Sequence, residues 1–559
     1  VSGYGVNIAL TDTGVDSEPP GLEGKHIAGY VAVCYMHTDP TCAPTAREDD
    51  GSFDPDDGTQ HGTACMGMAA ATGLAADGSQ SDYYGSAPNA PLVDVRIGTY
   101  VGAGPFENYL IPQEFYESAM NGIQWIIDNR DTAWPGVNES MHGIDIISLS
   151  WGITSHEGGG SDGEDMHSRI LDEATEAGVT VSVAAGNDGP DNDGLSGMGS
   201  SSLSITVGAT DDKNTIDRTD DTVAGYSSRG ERRDNGDGNP VNELKPEISA
   251  PGTNIIQAEG CVTSGGCTNF LGIGDASDNT YTGRGSGTSY ATPSVTGVIA
   301  LVMEANPDLD PMQIKEVLKQ TAERRGPASN PTVDPYWNRD FGYGMVDARA
   351  AVELAFHLAD TNQSASIDWT IQNHLLNVTN DGGKTVISGH AWTQSDVLAA
   401  VQYRMGEGTW KEATYEVVLE ELGPLTPFNW TVALDLSGVP AGEQTVEIRA
   451  IRGAQQSLPV LVEVTGSDSS SVRGWSMGLI IGGSLVLIAI LGALIGFIMM
   501  RQGTSMQSGG EEIFEAELLP EEDLSTLTVA ELKKRLSEQG LPVSGNKGEL
   551  IARLSTQTA

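Results

Sequence analysis

Three short segments, far apart in the chain, carry side chains that together suit nucleophilic catalysis. They are Asp12-Thr13-Gly14, His61-Gly62-Thr63 and Gly287-Thr288-Ser289. A serine hydroxyl is a weak nucleophile at neutral pH, and it needs an imidazole to accept its proton and a carboxylate to hold that imidazole in one tautomer. Each segment alone has an ordinary structural explanation. All three in one chain predict that Asp12, His61 and Ser289 form one site.

The residues around each segment predict the elements that position these side chains. The apolar run 6–11 leads into Asp12 and is typical of a buried strand in a parallel sheet. Open α/β sheets place their sites at the carboxyl ends of such strands. The small residues after His61 predict a buried helix with the imidazole near its start. The segment 290–302 predicts a second core helix, which begins close to Ser289.

These motifs, in the order Asp, His, Ser, resemble the subtilisin family of serine endopeptidases over residues 1–356. The resemblance implies a subtilisin-like α/β fold, a parallel sheet with helices on both faces. It also implies peptide-bond hydrolysis through an acyl-enzyme, with no cofactor required for the chemistry. The strand-like segment 178–186 ends at Asn187, whose side-chain amide would donate to the oxyanion beside the Ser289 N–H. The alternative is that Asn187 only forms a turn.

The same resemblance implies how a polypeptide substrate binds. The segment Ser150-Trp151-Gly152 resembles one backbone edge of the substrate cleft, and Gly102-Ala103-Gly104 resembles the opposite edge. An extended peptide between two such edges is held by main-chain hydrogen bonds, which tolerate many sequences. The residues expected to line the pocket for the P1 side chain are Ala184, Ala185, Gly186 and Gly199. Because these residues are small, we expect broad specificity with an apolar preference.

Composition limits the other functions. The chain has 559 residues, which indicates two or more domains. Its net charge of −47, from 77 acidic and 30 basic residues, argues against nucleic-acid binding by the bulk of the surface. The acidic clusters 49–50 and 54–57 are either candidate ligands for structural calcium, which many relatives bind, or solvated loops. Neither cluster has a complete ligand spacing, so the metal-binding residues stay unknown.

Five cysteines bear on the compartment. Cys34 and Cys42 flank one loop, Cys261 and Cys267 flank another, and Cys65 is left over. Two local disulfides would indicate an oxidising compartment, although spacing does not prove the pairing. Cys65 follows His61 by one helical turn, and we expect it to pack in the core. The chain starts at Val1 without a signal peptide or the pro-segment of its relatives, so we interpret it as mature or truncated.

A second domain is expected after the peptidase domain 1–356 and a linker over 357–365. Short strand-like segments separated by turn residues over 366–465 predict a β-sandwich that resembles bacterial and archaeal immunoglobulin-like modules. It acts either as a spacer or as a binding module for substrate or a surface. A further linker is expected over 466–473.

A membrane span is predicted next. Residues 474–500 contain no charged side chain, and this length exceeds the ~20 residues that cross ~30 Å of hydrocarbon. Glycine pairs in this segment either pack a homodimer or are ordinary membrane-helix glycines. The flanking arginines nearly balance, so orientation is argued from the candidate disulfides and from the family's export. These place the peptidase domain outside the cell and the tail in the cytoplasm.

The tail follows an acidic flexible linker over 501–523. Residues 524–555 resemble a SAP motif, in which two short helices are joined by an extended loop. Its partner is either a nucleic acid or a protein, because neighbouring glutamates dilute the basic charge. The residues that could contact phosphates are Lys533, Lys534, Arg535, Lys547 and Arg553. The whole chain is therefore expected to be a membrane-anchored serine endopeptidase. The alternative from another class is a catalytically silent cell-surface receptor or scaffold on the same fold.

Overall fold

A computed structural model describes residues 1–17, 19–32, 57, 61–75, 77–97, 112–152, 159–258, 283–381, 384–437, 439 and 442–466. All of these belong to one compact unit, Val1–Val472. Several predicted features lie outside the described residues. They are the edge 102–104, the cysteines other than Cys65, and the segments 474–500, 501–523 and 524–555.

The first part of the unit is built on one eight-stranded sheet. Its strands are β1 (Ile8–Asp12), β2 (His26–Val31), β3 (Leu92–Arg96), β4 (Ile146–Leu149), β5 (Thr180–Ala184), β6 (Ile205–Asp211), β7 (Thr222–Val223) and β8 (Ile248–Pro251). The order is β2-β3-β1-β4-β5-β6, with β8 parallel to β6 and the short β7 antiparallel to it. Every other pairing in the sheet is parallel, as the continuous apolar strands predicted.

Helices cover both faces of this sheet. They are α1 (His61–Ala70), α2 (Pro112–Asn129), α3 (Met166–Glu176), α4 (Thr288–Ala305), α5 (Pro311–Thr321) and α6 (Ala348–Asp360). Side chains of α1, α4, α5 and α6 share one core with Ile8 and Leu10. Those of α2 and α3 share a second core with Ala9. Because neighbouring residues of β1 enter different cores, the sheet is packed on both sides, which confirms the predicted α/β fold. Within the described ranges, no helix combines the length and apolar character that a membrane span needs.

The strand order determines where a ligand can bind. After β1 the chain builds β2 and β3 on one side, and it then crosses to build β4 and β5 on the other. In open α/β sheets the crevice lies at the carboxyl ends of the two strands where the order reverses. Here those strands are β1 and β4, whose carboxyl ends are followed by Thr13 and Ser150. This edge is where the predicted catalytic carboxylate lies.

A second pair of sheets follows. Strands β11 (Ile371–Asp381), β12 (Lys384–Thr393) and β15 (Phe428–Asp435) form one antiparallel sheet. The other contains β13 (Ala400–Met405), β14 (Lys411–Glu412), β16 (Gly442–Arg452), β17 (Gln455–Gln456) and β18 (Val460–Gly466). A separate short antiparallel pair, β9 (Ile255–Gln257) with β10 (Gly283–Gly285), precedes α4 in the chain. The two antiparallel sheets enclose a shared core around Trp430, Val446 and Ile448. The structure thus has a β-sandwich over the predicted range, and its immunoglobulin-like character stays a prediction.

The segment 357–365, predicted as a linker, is structured differently. Residues 357–360 are the last turn of α6, and Leu358 and Ser364 are buried. Gln363 Nε2 donates to Glu447 Oε1 of β16 at 2.9 Å. Ile367 and Trp392 also belong to the core of the sheet-and-helix part. The prediction of a free linker is therefore corrected, because side chains distant in sequence bury this connection.

Candidate functional site

Asp12 and His61 meet at the carboxyl edge of the sheet. Asp12 is the last residue of β1 and His61 is the first residue of α1. His61 Nδ1 lies 2.8 Å from Asp12 Oδ1, and the same oxygen accepts the Thr13 N–H at 2.7 Å. The Asp12 side chain is 2% exposed, whereas that of His61 is 23% exposed. The pair therefore has a buried acid and an imidazole that still reaches solvent.

This contact determines the protonation of His61. Since a carboxylate accepts the Nδ1 proton, the neutral ring has its free lone pair on Nε2, as a general base requires. Burial lowers the pKa of His61, but the Asp12 carboxylate and its hydrogen bond raise it, and the net result lies well above the ordinary value. The imidazolium that forms when the ring accepts a proton is thus stabilised.

Ser289 is held by a feature of its own helix. Helix α4 contains Pro293, which has no N–H to donate to the carbonyl four residues earlier, that of Ser289. Ser150 Oγ donates to this freed carbonyl at 2.9 Å, and the Cys65 thiol donates to it at 3.2 Å. One hydrogen bond within the helix is thus replaced by two hydrogen bonds to other elements, which join α4 to the residue after β4 and to α1.

The hydroxyl of Ser289 has a partner in this structure. Ser289 Oγ donates to the backbone carbonyl of Ser150 at 2.9 Å. The Cys65 Sγ that contacts Ser289 also lies 3.9 Å from His61 Nδ1, so the serine and the imidazole flank the same thiol. Burial raises the pKa of Cys65, so that thiol stays neutral. To act as a nucleophile, the Ser289 hydroxyl would first have to leave the Ser150 carbonyl.

Asn187 is oriented by the start of α4. Its Oδ1 accepts the backbone N–H of Thr288 at 2.9 Å and the Thr288 hydroxyl at 3.0 Å. A backbone N–H only donates, so the oxygen of the amide must face it, and Nδ2 is turned the other way. A Cβ built on Gly287 would stand 3.6 Å from both Asn187 Nδ2 and the Ser289 nitrogen. The two donors therefore border one space, and the Ser289 N–H lies in the first helical turn, where no helix carbonyl accepts it.

Several of the described residues predicted to contact substrate lie close to one another. Ala184 and Ala185 are buried at the end of β5, and a Cβ on Gly199 would stand 3.1 Å from the Ala184 carbonyl oxygen. A Cβ on Gly152 would stand 3.0 Å from Ser196 Oγ, and one on Gly186 would stand 3.9 Å from the same oxygen. Gly186 also has a φ of +102°, which favours glycine.

One residue of this region, Ser196, was missed in the sequence, and its Oγ lies near both Gly152 of the predicted edge and Gly186 of the predicted pocket. Ser150 was predicted only as part of the substrate edge, without its reciprocal hydrogen bonds to Ser289. Trp151 is anchored through its indole N–H to the Thr11 carbonyl at 2.8 Å. The sequence did contain one signal for the Ser150 contact. Pro293 predicts an unpaired carbonyl at Ser289, although it does not say which donor fills it.

Calcium does not fit the one cluster of metal-ligating side chains among the described residues, Asp12, His61 and Cys65. Calcium binds through oxygen ligands, whereas this set offers one carboxylate, one imidazole and one thiol. Asp57, part of a predicted acidic cluster, is fully buried and accepts hydrogen bonds from Thr13 and Thr63. The rest of both acidic clusters lies outside the described residues. Cys65 is a free, buried thiol.

Comparison with known families identifies the class. The profile of the subtilase family (Peptidase S8) matches residues 3–344, and that of the SAP domain matches residues 523–556. The first match covers more than half of the chain, and it contains the eight-stranded sheet, helices α1 to α5 and the residues Asp12, His61 and Ser289. The chain belongs to the subtilase family.

Several relatives are named as proteases. The serine protease AprX of Bacillus subtilis is 34% identical over 332 residues, which cover 58% of this chain and 62% of AprX. Fervidolysin of Fervidobacterium pennivorans is 29% identical over 364 residues, which cover 63% of this chain and 41% of fervidolysin. The chain thus spans less than two thirds of the length of either relative. Among solved structures, Sphericase is 24% identical with a TM-score of 0.41, covering 62% of this chain and 92% of that one.

Proposed function

We propose that this protein is a serine endopeptidase in which Ser289 is the nucleophile and His61 is the general base and then the general acid. Asp12 orients the imidazole and stabilises its protonated form, and Asn187 with the Ser289 N–H stabilises the oxyanion. The observation that carries the proposal is the 2.8 Å bond between buried Asp12 and partly exposed His61, next to Ser289 on the same carboxyl edge.

The chemistry follows from these contacts. His61 Nε2 accepts the Ser289 proton as Oγ attacks the scissile carbonyl carbon, and the acyl-enzyme forms when the protonated ring gives this proton to the leaving amine. Water, activated by the same imidazole, then cleaves the acyl-enzyme. The negative oxygen of each tetrahedral intermediate occupies the space bordered by Asn187 Nδ2 and the Ser289 N–H, which is polar before the reaction begins.

The substrate would be an extended polypeptide. Residues 150–152 continue past the end of β4, and their backbone is a suitable edge for main-chain hydrogen bonding. The predicted opposite edge at 102–104 lies outside the described residues. Ala184, Ala185, Gly186 and Gly199 present little side-chain volume, which supports a pocket for a large apolar P1 side chain.

A fluorophosphonate probe tests the proposed nucleophile on the purified full-length chain. The probe should attach to Ser289, and the Ser289→Ala variant should stay unlabelled. The His61→Ala variant should label far more slowly, because the hydroxyl then has no base. A folded parental chain that is neither labelled nor active on a casein substrate would refute the proposal and favour the silent receptor or scaffold.

We also propose that residues 474–500 anchor the protein in a membrane by one span, with the peptidase domain outside. The support is the uncharged composition of this segment, and glycine pairs within it suit a homodimer. The chain should stay with membranes after an alkaline carbonate wash, and a variant without 474–500 should be released. Added protease should digest the sheet-and-helix part, and not the tail, in sealed cells; the reverse pattern would overturn the orientation.

The SAP domain at the carboxyl end suggests a nucleic-acid or protein partner. We propose that it docks a cytoplasmic partner, and the candidate contacts are the basic residues Lys533, Lys534, Arg535, Lys547 and Arg553. Duplex DNA binding by the full chain should weaken steeply with salt if phosphates are the ligand. No binding at low ionic strength would leave a protein partner as the proposal.

A further inference from the structure

Asp57 is a buried carboxylate that lies between the two elements carrying the Asp12–His61 pair. It is 0% exposed, and among the described residues Thr13 and Thr63 direct three donors at it. Thr13 Oγ1 donates to Asp57 Oδ1 at 2.7 Å, while Thr63 donates to Asp57 Oδ2 through its N–H at 2.9 Å and its hydroxyl at 2.8 Å. Thr13 directly follows Asp12, and Thr63 is two residues after His61.

Both threonine hydroxyls also accept a bond. Thr13 Oγ1 accepts the Gly62 N–H at 3.0 Å, so a residue after Asp12 bonds directly to the residue after His61. Thr63 Oγ1 accepts the Asp16 N–H at 2.9 Å. A hydroxyl has one proton, so each threonine that accepts at its oxygen gives that proton to Asp57. The carboxylate is therefore the common acceptor of two chains that link β1 to α1.

The backbones at this point are too close for independent adjustment. A Cβ on Gly62 would stand 2.0 Å from the Gly14 carbonyl oxygen and 3.2 Å from Asp12 Cβ. The start of α1 is thus packed directly against the end of β1. This close packing keeps His61 within 2.8 Å of Asp12 only while the surrounding hydrogen bonds fix the position of α1 relative to β1.

We propose that Asp57 is a positioning residue for the catalytic pair, fixing the Asp12 turn and the first turn of α1 through Thr13 and Thr63. Asp57 itself does not touch the reacting atoms. The inference rests on the proposed peptidase function and deepens it, because it names the group that keeps His61 aligned with Asp12 and Ser289.

Asp57→Asn is the most informative variant. An amide of the same shape has one acceptor oxygen and one NH₂ donor group. Its oxygen can accept a hydrogen bond from only one of the two threonines, Thr13 or Thr63, and its NH₂ group then faces the donor of the other threonine. Misplacement of a catalytic group by about 1 Å costs about 100-fold in rate. We therefore expect kcat on a peptide substrate to fall about 10- to 100-fold, with KM changed less than about twofold.

A merely structural role would not change the pH profile of the folded enzyme. The described titratable groups that face His61 are Asp12 and Cys65, with the Tyr290 ring centre at 6.2 Å. If Asp57→Asn loosens the bond that raises the pKa of His61, the acidic limb of kcat/KM should move to lower pH. An unchanged limb together with parental kcat would overturn the proposal.

Asp334→Asn is the matched control. Asp334 is 1% exposed and accepts two hydrogen bonds, from the Tyr336 N–H at 2.8 Å and from the Tyr343 hydroxyl at 2.9 Å. It contacts neither β1 nor α1 in these bonds. Its variant should lose stability without losing kcat, measured well below the unfolding midpoint. Equal losses of kcat in both variants would refute a specific role for Asp57.

Thr13 provides an independent test if Asp57→Asn does not fold. Thr13→Ser keeps the hydroxyl and should keep kcat within about twofold, whereas Thr13→Val removes it and should lower kcat at least about tenfold. Equal kcat for the two variants would overturn the proposal. Labelling of the parental chain by a fluorophosphonate separates the two questions, since an unlabelled parent contradicts the peptidase function and a labelled parent leaves only the role of Asp57 to decide.

Discussion

Replacement of Asn187 separates the ground-state role of this side chain from its proposed role in the transition state. In the structure its Oδ1 accepts two hydrogen bonds from Thr288, and Nδ2 faces the space beside the Ser289 N–H. The bonds to Thr288 exist before substrate binds, so they contribute to stability. The bond from Nδ2 forms only when an oxyanion develops, so it should contribute to kcat.

The expected magnitudes follow from this division. Asn187→Ala removes the donor, and loss of one oxyanion donor costs roughly 2.7–4 kcal/mol, or about 100- to 1,000-fold in kcat, a range measured on a subtilisin and therefore on a member of this family. The same variant leaves Thr288 without its acceptor and should lower the free energy of unfolding by about 1 kcal/mol, because Asn187 is exposed to water.

Asn187→Asp should affect stability less, and kcat more, than Asn187→Ala. Its carboxylate still accepts from Thr288, so the free energy of unfolding should stay closer to the parent than in Asn187→Ala. Its second oxygen replaces the donor and brings a negative charge towards the oxyanion, which costs a further 1–4 kcal/mol or so for charges about 4 Å apart near a protein surface. The aspartate variant should thus be the more stable and the less active of the two.

Steady-state kinetics on a chromogenic peptide gives kcat and KM, with active sites counted by fluorophosphonate titration. Unfolding should be measured in a Ser289→Ala background, so that self-digestion does not contribute. A kcat for Asn187→Ala within tenfold of the parent, or an aspartate variant that is faster than the alanine variant, would refute the assignment of Nδ2 as an oxyanion donor.

Three further results are expected. The acidic limb of kcat/KM should lie above the ordinary histidine pKa of about 6.5, since burial lowers the pKa of His61 but Asp12 raises it by more. Activity is lost as the pH falls and the ring is protonated, and Asp12→Asn should move the limb to lower pH. Trp392→Ala should lower the free energy of unfolding in urea by about 3–5 kcal/mol. It should destabilise the peptidase part and the sandwich together, because this sandwich residue is 2% exposed in the peptidase core. A separate, unshifted transition of the peptidase part would contradict this expectation. Glu247→Gln should cost about 3–5 kcal/mol in the same assay, because the buried Glu247 carboxylate lies 2.6 Å from both Lys245 Nζ and Lys315 Nζ. Without it, each buried ammonium group must stay unpaired or lose its proton, since burial already lowers the pKa of Lys245 and Glu247 opposes that shift. An unchanged urea midpoint would show that this cluster contributes nothing.

The candidate site could be predicted largely from local sequence. The apolar run before Asp12 is a buried strand, and the small residues after His61 form a buried helix, as expected. The predicted pairing of the acid and the imidazole is present as a 2.8 Å bond. The strand and the helix could be predicted because side-chain type and periodicity are local properties, and a strand that ends in an acid places that acid at the sheet edge whatever follows. The pairing joins residues 49 positions apart, so its prediction rested on the shared chemistry of the motifs and on the resemblance to the family.

Predictions failed where burial depends on distant partners. The 357–365 segment has the polar composition of a linker, yet Leu358 and Ser364 are buried because β16 and the end of α6 meet there. Asp57 belongs to a run of acidic residues that suggested either calcium ligands or a solvated loop, and only its contacts with Thr13 and Thr63 show that it is an internal acceptor. No local pattern distinguishes an acid that faces water from one that three donors surround.

The amino-acid sequence by itself determined the chemical groups of the site, the strands and helices that carry them, and the missing helix bond that Pro293 leaves at Ser289. The tertiary structure decided which donors fill that gap, Ser150 and Cys65, and it decided that Trp392 of the sandwich completes the core of the peptidase part. The physical reason is that hydrogen-bond partners and buried contacts depend on distances between segments, which the order of the strands sets and which no single segment encodes.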